Sequence, residues 1–79
     1  MEKSQHTKAY RKLLKALRAA RKRLGLTQAE VAAQLQTYDT FVSKSESGER
    51  RLDVVELSAL CRLYELDLVD LLRSAGLYR

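Results

Sequence analysis

The chain has 79 residues, 46% of them hydrophobic and 32% charged, with a formal net charge of +5, a composition that excludes a disordered chain. This length predicts one domain, residues 1–79, with a modest core. There is no apolar run of the ~18 residues that cross a bilayer, and no signal peptide is expected. One cysteine, Cys61, and one histidine, His6, make neither an internal disulfide nor a metal site, which favours a reducing, cytoplasmic location without a cofactor.

The positive charge is concentrated near the N-terminus. Residues 1–23 carry nine Lys or Arg and one Glu, a net +8, whereas residues 24–79 carry six basic and nine acidic residues, a net −3. This distribution suits a protein that presents one side to a polyanion, although a solvated basic helix would have the same composition. We expect residues 1–6 to be frayed, as the ends of small domains commonly are.

Apolar residues at the helical period predict five helices and no strand, which makes the fold class all-α. The first helix is expected from about Thr7 to Leu24. Its inward stripe consists of Tyr10, Leu13, Leu14, Leu17 and Leu24. Arg21 falls inside this stripe, where an unpaired charge is costly, so it requires a carboxylate partner.

Two short helices follow, expected from Gln28 to Leu35 and from Asp39 to Ser47. Thr27 and Glu30 have the spacing of a capping box, and Gly48 is placed to end the third helix in a left-handed conformation. The inward candidates are Val31, Ala32, Leu35, Phe41 and Val42. Over residues 27–48 this arrangement has the form of a helix-turn-helix, in which the second helix lies in the major groove of DNA.

A second capping box, Asp53 with Glu56, opens a fourth helix that is expected to run to Tyr64. Its apolar face consists of Val54, Leu57, Leu60, Cys61 and Tyr64. Asp67 caps a fifth helix from Leu68 to about Ala75, with Leu68, Leu71 and Leu72 facing inward. Because the connections are short, the helices are expected to form a compact bundle.

Residues 17–72 resemble the phage-repressor and Cro type of helix-turn-helix domain, of the XRE group. The resemblance rests on the segments LRAARKRLGLTQAEVAAQL, FVSKSESGERRLDVVEL and LYELDLVDLL. Its most specific feature is the combination of the Gly-Leu-Thr-Gln-Ala-Glu opening with the Glu-Ser-Gly-Glu-Arg ending. The resemblance implies a five-helix, lambda-repressor-like fold and double-stranded DNA as the partner.

The resemblance also implies roles for particular side chains. It assigns base reading to the start and next turn of the third helix, namely Tyr38, Asp39, Thr40, Ser43 and Lys44. Asp39 is unusual there, and it either accepts from a cytosine amine or stabilises the helix N-terminus. Phosphate contacts are implied for Thr27, Gln28, Ser47, Arg50 and Arg51, with at least one of the two arginines in contact. Gln28 has two further interpretations, as a brace for the third helix or as an ordinary helix-start residue. Arg21 and Glu46 are implied to form a structural ion pair.

Three positions depart from the family pattern. Gln36 stands where the turn usually has glycine, at a cost of roughly 1 kcal/mol if its backbone is left-handed. Tyr38 replaces the usual cap of the third helix, which leaves Thr37 as an alternative cap. Ser45 stands where an apolar side chain normally packs inward. Either the core is lighter here or this position meets another molecule.

These features predict a sequence-specific DNA-binding transcriptional regulator of the small repressor or controller type, acting as a homodimer. The dimer contacts are expected from the fourth and fifth helices or from Leu77 and Tyr78. The alternative is a protein-interaction module or an antitoxin-type protein of the same fold, which Tyr38 and Asp39 mildly favour. An enzyme is not expected, because the chain offers a single histidine, no second cysteine and no glycine-rich phosphate loop.

Overall fold

Five helices make up the part of the chain that a computed structural model describes, residues 6–78, and no strand occurs there. They are α1 (Lys8–Arg23), α2 (Gln28–Gln34), α3 (Asp39–Ser47), α4 (Val54–Leu63) and α5 (Leu68–Ser74). The all-α class is confirmed, and each helix end lies within one residue of its predicted place. The expectation of frayed ends concerns mainly residues 1–5, which lie outside the described residues.

Side-chain caps explain why four of the helices begin where they do. Thr7 and Asp67 accept from the backbone N–H groups three residues ahead, while Thr27 and Asp53 open complete capping boxes. Each such cap stabilises a helix by about 1 kcal/mol. Helix α3 is the exception, because its N-cap is Tyr38 and no side chain caps it. The alternative cap by Thr37 is therefore wrong.

The core lies between α1 and the shorter helices. Its buried apolar side chains are Leu13, Leu14, Leu17, Ala20, Val31, Ala32, Val42, Leu60, Cys61, Tyr64, Leu71 and Ala75. Two inward assignments are wrong, since Leu24 is 39% exposed and Val54 is 76% exposed. Leu24 is the C-cap of α1, where the chain leaves the helix. Val54 has the right period, but it lies in the first turn of α4, where no described element covers it.

Two turns contain left-handed residues other than glycine. Gln36 follows α2 with φ of 56°, and Glu65 follows α4 with φ of 58°. In each turn the next N–H returns to the helix, from Thr37 to the Ala32 carbonyl at 2.9 Å and from Leu66 to the Cys61 carbonyl at 2.8 Å. Gln36 thus has the left-handed backbone that was considered above only as a condition, whereas no residue-type pattern indicates that of Glu65. These hydrogen bonds offset a strain of about 1 kcal/mol at each residue.

Ser45 is buried on α3, with 3% of its surface exposed. Its Oγ atom has no hydrogen-bond partner among the described residues. Beside it lies a void of about 10 Å³, which Leu14, Leu17 and Tyr64 also line. Of the two interpretations of this serine, the lighter core is therefore the one that the structure supports.

Replacement of Ser45 by alanine is expected to stabilise the protein by about 1 kcal/mol, because a buried hydroxyl without a partner is costly. Urea denaturation should show a higher midpoint with an unchanged slope. Ser43→Ala is the matched control, since the Ser43 hydroxyl lies 3.4 Å from the Thr40 carbonyl to which it donates. Destabilisation by Ser45→Ala would show that the hydroxyl is satisfied in solution.

Candidate nucleic-acid interface

Helices α2 and α3 meet through a tight turn at residues 35–38. The turn is fixed by the left-handed Gln36, whose N–H donates to the Ala33 carbonyl at 3.2 Å. The chain then enters α3 at Tyr38, whose carbonyl accepts from the Phe41 N–H at 2.9 Å. Val31 and Ala32 on α2 and Val42 on α3 are buried, so the two helices share part of the core. Their relative orientation is therefore set by both the turn and the packing.

One carboxylate joins α3 to the two preceding helices. Arg21 of α1 donates twice to Glu46, from Nε to Oε2 at 2.6 Å and from Nη2 to Oε1 at 3.1 Å. Gln28, at the start of α2, donates from Nε2 to the same Oε1 at 3.0 Å. A third Arg21 nitrogen, Nη1, donates to the Leu26 carbonyl at 2.8 Å. We call Arg21, Gln28 and Glu46 the Glu46 hub.

Electrostatics keep the Glu46 hub charged. Burial alone would raise the pKa of Glu46, but the hydrogen bonds from Arg21 and Gln28 and the charges of Arg21 and Arg18 outweigh it and lower that pKa. The bond with Glu46 raises the pKa of Arg21 against the opposing effect of burial. The two side chains are only 9% and 11% exposed. Each of the three guanidinium nitrogens of the buried arginine therefore donates one hydrogen bond, which explains its place in an apolar stripe.

The side chains assigned to base reading lie on the outer face of α3. Tyr38 is 79% exposed, and Asp39, Thr40 and Lys44 are also exposed or half-exposed. Ser43 is half-buried, and its hydroxyl donates to the Thr40 carbonyl. Lys44 forms neither of the two ion pairs found within residues 6–78, so its ammonium group is free to meet a base edge or a phosphate.

Three of the residues assigned to phosphate contacts already form side-chain hydrogen bonds within the protein. Thr27 Oγ1 accepts from the Glu30 N–H, and Ser47 Oγ donates to the Lys44 carbonyl at 3.0 Å. Gln28 braces α3 through the Glu46 hub, as one of its interpretations required. The hydroxyl proton of Thr27 and the second amide proton of Gln28 remain available to another acceptor. A bracing role and a phosphate contact are thus compatible for Gln28.

The two loop arginines differ in their surroundings. Arg50 donates to both carboxylate oxygens of Glu56, at 2.9 and 2.7 Å, and its guanidinium lies 4.8 Å from the centroid of the Phe41 ring. The bond with Arg50 is the main cause of the lowered pKa of Glu56. Arg51 is exposed and forms no ion pair within residues 6–78. Of the two arginines, Arg51 is therefore the less restrained.

Sequence reasoning missed the pairing of Arg50 with Glu56. It assigned Glu56 only to the capping box, in which Oε1 accepts from the Asp53 N–H at 2.9 Å. The same carboxylate serves both partners. Its spacing of six residues from Arg50 crosses a loop and follows no helical period, so no regular pattern indicates it.

The described residues contain no cluster of three or more His, Cys, Asp or Glu that could hold a metal ion. Cys61 is buried, and burial raises the pKa of its thiol above the usual value. Within residues 6–78, no helix has the length and apolar character needed to span a membrane.

An exposed polar helix, fixed across a second helix by a tight turn and a buried ion pair, defines a helix-turn-helix protein. A family model described as a helix-turn-helix domain matches residues 12–74. The chain belongs to this helix-turn-helix family, in agreement with the resemblance to the phage-repressor and Cro type. Neither the curated proteins nor the solved structures give a match to the chain. The family membership indicates a DNA-binding regulator in general terms.

Replacement of Glu46 by glutamine should destabilise the protein by roughly 2 to 3 kcal/mol at pH 7, because it leaves the buried Arg21 without its charged partner. Because the pKa of Glu46 is lower in the folded state, its contribution is present above the ordinary pKa of about 4.5 and is lost as pH falls through the lowered value. The free energy of unfolding of the variant should therefore depend less on pH below about 4.5.

Urea unfolding between pH 3 and pH 7 measures both effects. Glu30→Gln is the control, since Glu30 is exposed and also has a lowered pKa but forms no ion pair within residues 6–78. A pH profile of Glu46→Gln that runs parallel to that of the unmodified chain would contradict the assigned role of the hub.

Proposed function

We propose that the protein is a sequence-specific, double-stranded-DNA-binding transcriptional regulator of the small repressor or controller type. The observation that carries the proposal is the outer face of α3, where Tyr38, Asp39, Thr40 and Lys44 are accessible on a helix that the Glu46 hub fixes from behind. A helix held in this way can enter the major groove with its side chains directed at base edges.

The side chains of this face suit hydrogen bonding to bases in different ways. Lys44 donates to guanine or to a phosphate, and Thr40 and Ser43 both donate and accept. Asp39 either accepts from a cytosine amine or stabilises the start of α3. Side-chain caps stabilise the N-termini of the other four helices, but α3 has none. A negative charge on Asp39 would stabilise the N-terminus of α3 in their place.

Phosphate contacts beside the reading helix fix its position on the duplex without reading sequence. We assign this role to Thr27, Gln28, Ser47 and Arg51. Arg50 is assigned to the same group, although its guanidinium donates to both carboxylate oxygens of Glu56. It would contact a phosphate only from the side that faces solvent. Arg51 is therefore the main arginine contact in this proposal.

We propose that the protein acts as a homodimer in the cytoplasm and has no enzymatic activity. Two copies of α3 would then meet successive major grooves about 34 Å apart. Apolar side chains exposed at the C-terminal end of the bundle are candidates for the dimer contact, namely Val69, Leu77 and Tyr78. They belong to the part of the chain from which the dimer contacts were expected.

A second candidate function is a protein-interaction module of the same fold, which includes antitoxin-type proteins. The observation that favours it is the pair Val54 and Val55, both 76% exposed at the start of α4. Neighbouring large apolar side chains on a surface are typical of a contact with another protein. Such a module would bind its partner without reading bases.

Selection from a random pool of duplex DNA at about 150 mM salt tests the proposed function directly. We expect enrichment of two half-sites, one helical turn apart, which is the pattern that a homodimer produces. Retention that weakens with salt but enriches no sequence would reduce the activity to phosphate binding and favour the protein-interaction module.

The double variant Thr40→Ala, Lys44→Ala tests the assigned reading face. Loss of base contacts worth about 2 kcal/mol or more should weaken binding to the selected site at least about 30-fold. Fluorescence anisotropy measures the affinity, and thermal melting establishes that the variant is folded.

The matched control is Ser58→Ala, Arg62→Ala, which removes one hydroxyl and one cation from α4. This control should retain its affinity for the selected site, because neither residue is assigned to the DNA face or belongs to the proposed dimer contact of Val69, Leu77 and Tyr78. Unchanged specificity in the Thr40, Lys44 variant would show that other residues read the bases.

A further inference from the structure

Helix α1 carries eight basic residues and no acidic residue. Three of them, Arg11, Lys15 and Arg18, follow the spacing i, i+4, i+7 and therefore lie on one face of the helix. All three are exposed, and the two ion pairs within residues 6–78 involve other arginines. We call these three residues the basic row.

The basic row lies beside the end of the reading helix. Arg11 and Lys15 line an open recess of about 490 Å³, whose opposite side is formed by Ser47, Gly48 and Glu49. Arg18 lies close enough to Glu46 for its charge to help lower the pKa of that carboxyl. The row is therefore continuous with Ser47, one of the proposed phosphate contacts.

The arrangement is unfavourable for α1 in isolation. Like charges at i, i+4 destabilise a helix by roughly 0.2 to 0.5 kcal/mol per pair, and no described acidic residue forms an ion pair with the row. A polyanion laid along the row would relieve this repulsion. An anionic membrane fits less well, because Leu13 and Leu17 on the opposite side of α1 are buried in the core and cannot insert.

We propose that the basic row binds the DNA sugar–phosphate backbone outside the bases that α3 reads. This inference rests on the proposed function and adds a contact site on α1 to it. At about 1.5 Å per residue the row is about 10 Å long, so its three long, flexible cationic side chains can reach neighbouring phosphates of one strand. Each protomer would thus gain about three phosphate contacts that carry no sequence information.

Glu49 opposes this binding. It lines the same recess and forms no ion pair within residues 6–78, whereas the other acid there, Glu46, is neutralised by Arg21. Glu49→Gln is therefore expected to tighten binding to any duplex.

The test compares two triple variants that lose the same charge. One is Arg11→Gln, Lys15→Gln, Arg18→Gln in the basic row, and the control is Lys12→Gln, Arg23→Gln, Arg62→Gln. The control residues are exposed, unpaired within residues 6–78 and outside the row. Glutamine has nearly the helix propensity of lysine and arginine, so both variants should fold. Melting at low salt checks this, and the row variant should melt no lower than the unmodified chain.

Binding is measured by anisotropy from 50 to 200 mM salt, with the selected site on a long duplex, with that site trimmed of its flanks, and with a scrambled duplex. The slope of log K against log salt is negative, and its magnitude counts the phosphate contacts. We expect this magnitude to be smaller by about 2 to 3 for each protomer of the row variant, both on the long duplex that carries the selected site and on the scrambled duplex. The control should lose much less. On the trimmed duplex, the salt slopes of the row variant and the control should no longer differ. The row variant should still prefer the selected site to the scrambled duplex.

Equal slopes for the row variant and the control would overturn the proposal, even where the unmodified chain prefers the selected site and the proposed function stands. Conversely, a lower slope for the row variant on the scrambled duplex supports the row even if no sequence is preferred and base reading fails. A row variant that binds DNA normally but loses binding to an acidic protein or to anionic vesicles would also overturn the proposal.

Discussion

A single carboxylate joins α3 to both preceding helices, in addition to the turn and the core packing that hold it against α2. Glu46 receives hydrogen bonds from Arg21 on α1 and from Gln28 on α2, so one side chain joins three helices. A buried ion pair seldom adds much net stability, because desolvation offsets most of the attraction. Its value here is geometric, since a nine-residue helix has little stability of its own and its orientation must come from its neighbours.

The helices differ in how far they are stabilised by their own end residues and by contacts with other helices. Helices α2 and α5 have only seven residues each, yet both begin with a side-chain cap and end with a left-handed turn. Helix α3 lacks the N-terminal cap and contains Ser45, whose buried hydroxyl has no partner among the described residues. The helix with the weakest local signals is therefore the one that the Glu46 hub braces. Such a local deficit is common where a surface is adapted to bind rather than to stabilise the fold.

The sequence predicts features of this fold that arise from short-range rules. Caps and turn residues determine the helix ends, and an arginine inside an apolar stripe by itself indicates a buried partner. The helical periodicity of apolar residues places Val54 inward. It is exposed in the structure, because its burial depends on which elements surround α4. The pairing of Arg50 with Glu56 and the position of the Arg50 guanidinium over the Phe41 ring depend on the path of a loop, and the left-handed Glu65 has no residue-type signal. Base-reading roles follow from the family resemblance, because exposure by itself does not distinguish a reading face from a solvated one.

The distribution of charge suggests how affinity and specificity are divided, if α3 reads bases as proposed. Helix α3 contains Asp39, Lys44 and Glu46, so its formal charge is −1, whereas α1 is uniformly basic. Attraction to phosphates acts on every sequence alike, and cations placed on the reading helix would strengthen binding to wrong sites as well as right ones. A reading helix without net positive charge binds well only where its hydrogen bonds are matched, because unmatched polar groups then lose their water without compensation. If the basic row of α1 contacts only the sugar–phosphate backbone, as proposed, it supplies general affinity, whose strength can change without altering which sequence is preferred.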